Sequence, residues 1–172
     1  GEAALTHWGK YRARVLGARI AAGATGRDPD PMPANVPVPQ VIFTDPQVAS
    51  VGRPEAEARD AGLDVVVTNV PWSAAAGAGL LRDDATGAAQ LVVDARTHRL
   101  VGATFVGTGA GELLHAATIA IVGAVPTEVL RHAVPCYPTA SELWLRLLEL
   151  LPEEFRRPAA APSDATGPHA EA

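Results

Sequence analysis

Five prolines, at positions 29, 31, 33, 37 and 39, fall within one short stretch of the chain. Proline fixes φ and has no amide hydrogen to give, so neither a helix nor a central strand can run through such a stretch. The 172-residue chain is therefore divided. Residues 23–39, GATGRDPDPMPANVPVP, are expected to form an extended linker. Before it, LTHWGKYRARVLGARIAA (5–22) has helical periodicity: Leu5, Trp8, Val15, Leu16 and Ile20 fall near one face, and Lys10, Arg12, Arg14 and Arg19 take much of the other. Gly23 and Gly26 are the expected stop.

Beyond the linker, strand and helix signals alternate and then turn helical. QVIFT (40–44) and VASVG (48–52) read as short strands around Asp45-Pro46, and Arg53 to Gly62 reads as a short helix with Pro54 in its first turn. DVVVTNVPW (64–72) is β-branched and predicts a strand, whereas the Gly/Ala-rich residues 73–87 read as loop. AAQLVVDARTHRLVGATFVG (88–107) has the form of a hairpin around the polar turn Ala95–Arg99. Residues 109–124, GAGELLHAATIAIVGA, predict a helix buried on most sides, and 126–132 a short helix opened by proline. Strands followed by helices predict an α+β fold, an antiparallel sheet flanked by helices. The tail from 152 onward decays into Ala, Pro and Gly and is expected to be disordered.

Composition removes several function classes. The formal charge is −5 and Arg156-Arg157 is an isolated basic doublet beside Glu153 and Glu154, so no nucleic-acid surface is expected. No run of about 18 apolar residues predicts a membrane span, and Lys10, Arg12, Arg14 and Arg19 interrupt any signal-peptide core. One cysteine, Cys136, excludes an internal disulfide and argues against a cysteine zinc site, which suits a reducing cytoplasm. The chain opens on Gly1 rather than Met and is expected to be a piece of something longer.

GTGAGE (107–112) invites a dinucleotide reading, but the third glycine of that fingerprint is replaced by Glu112, which would repel a pyrophosphate. A tight turn is the better reading. His7, His98, His115, His132 and His169 show no i,i+4 pair, so no metal site is expected; His98 reads as a turn residue and His115 as helix packing. Cys136 reads as a small packed residue, with a reactive thiol as the alternative. Ser141 has no identifiable base and reads as an exposed first-turn residue. Thr139-x-x-Glu142 is a capping box that accounts for both residues without catalysis. Behind it, Leu143, Trp144, Leu147, Leu148 and Leu151 form a broad apolar face that could serve as a subunit contact.

VPQVIFTDPQVASVG (38–52), together with VGRPEAEARDAG, DARTHRLVGATFVG, GAGELLHAATIAI and the closing YPTASE, resembles the C-terminal dimerisation domain of the FAD-dependent pyridine nucleotide-disulfide oxidoreductases. That family includes dihydrolipoamide dehydrogenase, glutathione reductase and mercuric reductase. The likeness covers about residues 36–149. It implies a dimerisation domain over 40–151, and makes 1–22 the helix that ends an FAD-binding domain, with Leu5, Thr6 and His7 approaching the flavin. It also implies homodimers in which Tyr137 and Glu142 take the catalytic positions and Pro138 lies against the partner's flavin. FAD and NAD(P)H would be held mainly by upstream domains, so this piece alone is not expected to be catalytically competent.

Two departures from the family pattern bear on chemistry. The nucleotide-binding glycines and the redox-active cysteine pair are not in this chain. Tyr137 stands where the resemblance places a histidine acid/base, and a phenol, with an ordinary pKa near 10, is a poor base at pH 7. The implied function is a flavin-dependent NAD(P)H oxidoreductase whose electron acceptor is a small molecule, a quinone more readily than a disulfide. The alternatives are a non-catalytic interaction module of the same fold, or part of a mercuric-reductase-like metal-ion reductase; the C-terminal cysteine pair of the latter is missing.

Overall fold

The computed structural model describes residues 4–29 and 36–160. It separates into two compact units, Gly1–Val38 and Pro39–Ala172, each described here by itself. Within the first, helix α1 (Thr6–Thr25) runs three residues past the expected end at Ala22 and stops at Gly26, the second of the two expected stops. Gly23 is tolerated inside it, and Gly26, at φ 64°, supplies the left-handed cap that sends its N–H to the carbonyls of Ala22 and Gly23. The middle of the proline-rich linker and the end of the tail, residues 161–172, lie outside the described residues.

The second unit is an α+β domain. Strands β1 (Gln40–Ile42), β2 (Gln47–Gly52), β3 (Val65–Pro71), β4 (Ala88–Asp94) and β5 (Arg99–Gly107) form one antiparallel sheet in the order β1-β2-β5-β4-β3. The β4–β5 hairpin forms where its residue pattern requires, with Ala88 opposite Val106 and Asp94 opposite Arg99. A bulge at Val92/Val93 shifts the register. The extra residue turns Leu100, Ala103 and Phe105 to one face of the sheet and Val101 to the other.

On the first face lies the main core, in which Trp72, Phe105, Leu91, Leu114, Leu143 and Leu147 are fully buried. Helices α4 (Ala110–Val122) and α6 (Glu142–Glu149) supply its second layer. Gly107 is a glycine because a Cβ there would lie 2.3 Å from the Trp72 indole. The opposite face carries a small cluster of Ala58, Val65 and Val92, covered by α2 (Glu55–Asp60).

Four differences from the sequence reading have physical causes. Residues 73–87 are not all loop: Trp72–Ala74 make a 3₁₀ turn and Ala76–Leu81 make helix α3, whose Gly77 and Ala78, with the preceding Ala75, are buried because they are small enough to pack close. α4 is covered on one side only, with Leu113, Leu114, Ala117 and Ala120 inward and Ala116, Ile119 and Val122 outward. The apolar face of α6 is consumed inside the domain, where Leu143, Trp144 and Leu147 pack into the core, and so it is not an open subunit surface. Packing also continues beyond Leu151: the 3₁₀ turn Glu153–Arg156 buries Phe155, and the Thr127 hydroxyl donates to the Phe155 carbonyl at 2.9 Å. The short helix α5 (Thr127–Leu130) holds that contact.

Candidate functional site

The segment between α5 and α6 is the candidate site. It leaves the domain surface at Val134, 86% exposed, and reaches Tyr137, 79% exposed, before returning through the cis Tyr137–Pro138 bond. Its root is fixed. Glu142, Leu143 and Trp144 are all buried, and the Trp144 ring packs on Phe105 with centroids 5.5 Å apart.

The expected capping box forms by half. The Glu142 carboxylate reaches back to accept from the Thr139 N–H at 3.4 Å. The Thr139 hydroxyl, however, donates to the Cys136 carbonyl at 2.6 Å instead of accepting from the Glu142 amide. That amide bonds the Thr139 carbonyl at 3.3 Å. Thr139 thus ties the tip of the loop to the start of α6, so that Tyr137 projects from a closed turn.

Beside the loop lies a mainly apolar cleft of about 490 Å³ between α4 and α6, lined by Leu113, Ala116, Leu130, Val134, Cys136, Thr139, Trp144 and Leu148, with Glu112 and Ser141 at its polar edge. Cys136 is exposed rather than packed, and His115 points to solvent rather than into the helix packing. His98 is the turn residue of the hairpin, at φ 54°. Among the described residues no cluster of three potential metal ligands occurs. Likewise no described helix is long and apolar enough to cross a membrane.

At the GTGAGE stretch the tight turn is realised. Gly109 takes φ 75° as the N-cap of α4, and the Gly111 N–H is occupied by the Gln47 side-chain oxygen at 3.2 Å. Sequence reasoning missed two contacts that hold the neighbourhood. Arg82 donates to both oxygens of Asp45 at 2.6 and 2.8 Å and also binds Asp84, which joins the end of α3 to the β1–β2 turn. The Asp84 hydrogen bond, more than any other influence, raises the Arg82 pKa beyond its ordinary value, and the same bond lowers that of Asp84. The second is the approach of α3 to Thr139. Opposite charges far apart in sequence, and small residues at 75–78, were the available signals.

Leu5, Thr6 and His7 lie in the first unit, at the start of α1, while Tyr137, Pro138 and Glu142 lie in the second. Leu5 is extended, at φ −111° and ψ 138°, and makes no side-chain cap, and the first turn contains no acidic residue.

The five-stranded antiparallel sheet with its helix layer is the architecture of a dimerisation domain of flavoprotein disulfide reductases. The profile of the pyridine nucleotide-disulphide oxidoreductase dimerisation domain matches residues 38–147, and the chain belongs to that family. It is 33% identical over 142 residues to the dihydrolipoyl dehydrogenase of Vibrio cholerae, covering 83% of this chain and 28% of the relative. To that of Geobacillus stearothermophilus it is 31% identical over 147 residues, covering 86% and 30%. Among solved structures, the HOCl-induced flavoprotein disulfide reductase RclA from Escherichia coli superposes with a TM-score of 0.70 at 25% identity, over 81% of this chain and 31% of that one. The chain thus spans under a third of the length of the curated relatives it matches.

Proposed function

We propose that this chain is the dimerisation domain of a homodimeric, FAD-dependent NAD(P)H oxidoreductase and that residues 134–142 complete the partner subunit's flavin and substrate site. The observation that carries this reading is the contrast within the loop. Tyr137 and Val134 stand out in solvent, while Glu142 and Trp144, a few residues on, are buried. A large aromatic held outward on a fixed root is suited to contact in trans. FAD would accept hydride from NAD(P)H, and Leu5, Thr6 and His7, at the start of α1, would lie along the flavin. Tyr137 and Pro138 would meet the partner's ring, with Glu142 fixing their turn through Thr139. Because a phenol donates a hydrogen bond but is a poor proton acceptor near neutrality, the reading favours a quinone-class acceptor over a disulfide.

The outward side of α4, not α6, supplies the apolar surface for the second copy: Ile119 is 58% exposed, beside exposed Val122. A cytoplasmic location suits the exposed thiol of Cys136. The test is the full-length protein. A yellow dimer that oxidises NAD(P)H with a quinone is expected; a colourless monomer would overturn the reading.

A further inference from the structure

Helix α3 sits directly on the backbone of the candidate site loop. A Cβ built on Gly77 would lie 2.1 Å from the Thr139 carbonyl carbon, 2.2 Å from its Cα and 2.6 Å from the Ala140 nitrogen. Ordinary carbon contacts lie near 3.5–4.0 Å, so any side chain at 77 requires a displacement of more than about 1 Å. All three obstructing atoms are backbone, and no rotamer change relieves them. Two positions further along the same helix, a Cβ on Gly79 would meet nothing within 4 Å. The far end of α3 is tied by Arg82 to Asp45, an exposed pair that adds a modest restraint on the helix.

We propose that Gly77 is a positioning residue: it lets α3 act as a strut that sets the place of Thr139, and through Thr139 the place of Tyr137 and the Glu142 turn. Four bonds depend on the placing of Thr139 and Ala140. These are Thr139 N–H to Glu142 Oε2, the Thr139 hydroxyl to the Cys136 carbonyl, the Glu142 N–H to the Thr139 carbonyl at 3.3 Å, and the Leu143 N–H to the Ala140 carbonyl at 3.1 Å. Moving that backbone therefore moves both the tip of the loop and the first turn of α6. The consequence for turnover rests on the functional reading above; the mechanical coupling does not.

The experiment compares Gly77→Ala with Gly79→Ala, which makes the same change in helix propensity without the obstruction. Amide hydrogen exchange is measured on this chain, and NAD(P)H oxidation on the full-length protein. Gly77→Ala is expected to lower protection of the Thr139, Glu142 and Leu143 amides at least about tenfold relative to Gly79→Ala, with β4 and β5 unchanged. It is also expected to reduce kcat about 100-fold, the effect of a misplacement of about 1 Å, with the KM for NAD(P)H unchanged. Equal protection in the two variants overturns the proposal. Reduced protection with undiminished kcat upholds the strut and overturns the placing of the loop at a reaction site. If Gly77→Ala does not fold, Ala76→Gly loosens the exposed side of α3 without a clash. It is then expected to lower protection at the same three amides about fivefold, and unchanged protection there overturns the proposal.

Discussion

The imidazole of His98 stacks on the ring of Phe155 with centroids 4.3 Å apart, and its Nδ1 meets the Arg157 carbonyl at 3.1 Å. The hairpin turn is thereby joined to a stretch of chain whose composition alone places it outside the domain. Phe155 is 3% exposed, so Phe155→Ala is expected to cost about 3–5 kcal/mol, the range for deleting a buried aromatic ring. Chemical denaturation checks this; a loss below about 1 kcal/mol would show that the turn after Leu151 contributes little.

The tail shows one limit of sequence reading. Glu153, Glu154, Arg156 and Arg157 surround Phe155 with charge, and their polarity hides a single core residue among exposed ones. The sheet was legible because the alternation in 88–107 and the β-branched run at 64–72 have one physical solution. α3 was not, because Ala and Gly carry no periodic signal and the helix exists through the contacts its small residues permit. Likewise Tyr137 and Glu142 could be singled out from their motif. That one is outward and the other buried, with a half-formed cap between them, depends on packing the motif does not encode.

Replacing Thr139 separates its hydroxyl from its shape. Thr139→Ser keeps the donor to Cys136 and is expected to be near neutral. Thr139→Val loses the 2.6 Å bond and is expected to cost about 1 kcal/mol. Thermal unfolding of the two side by side decides it; equal stability would mean the hydroxyl bond is replaced by water at no cost.

Tyr137 is exposed, so Tyr137→His is expected to change stability by no more than about 0.5 kcal/mol. In the full-length protein the new imidazole, ordinarily titrating near 6.5, supplies the base that a phenol does not. Oxidation of a dithiol by the variant, with NAD(P)+ added as the electron acceptor, is expected to rise with pH through that value, whereas quinone reduction stays flat. A pH-independent dithiol rate would remove Tyr137 from the reaction site.

Ile119→Asp places a charge on the outward side of α4 without touching the inward residues Leu113, Leu114, Ala117 and Ala120. Sedimentation is expected to show a folded monomer where the unaltered chain is a dimer. A dimer that survives the charge would exclude this face as the contact.

The Arg82–Asp84 pair gives a prediction in pH and salt. Its hydrogen bond to Arg82 holds the Asp84 carboxyl below the usual range, near 3.9, so its contribution is complete above that value and is lost as pH falls through the lower, folded value. Asp84→Asn is therefore expected to be less stable than the unaltered chain at pH 7, with the difference beginning to shrink only below about pH 4 and vanishing beneath the lowered folded value. Both partners are exposed, so the difference should also fade in about 1 M salt, where the screening length is about 3 Å. A difference that persists in salt would contradict the exposed geometry.

The two sides of α4 share no residue: one row is committed to the sheet and the other to whatever lies outside. The outer row can therefore change without disturbing the fold. If it is the contact proposed above, duplicated copies of such a chain that drifted only at Ile119 and Val122 would keep identical folds yet cease to exchange subunits.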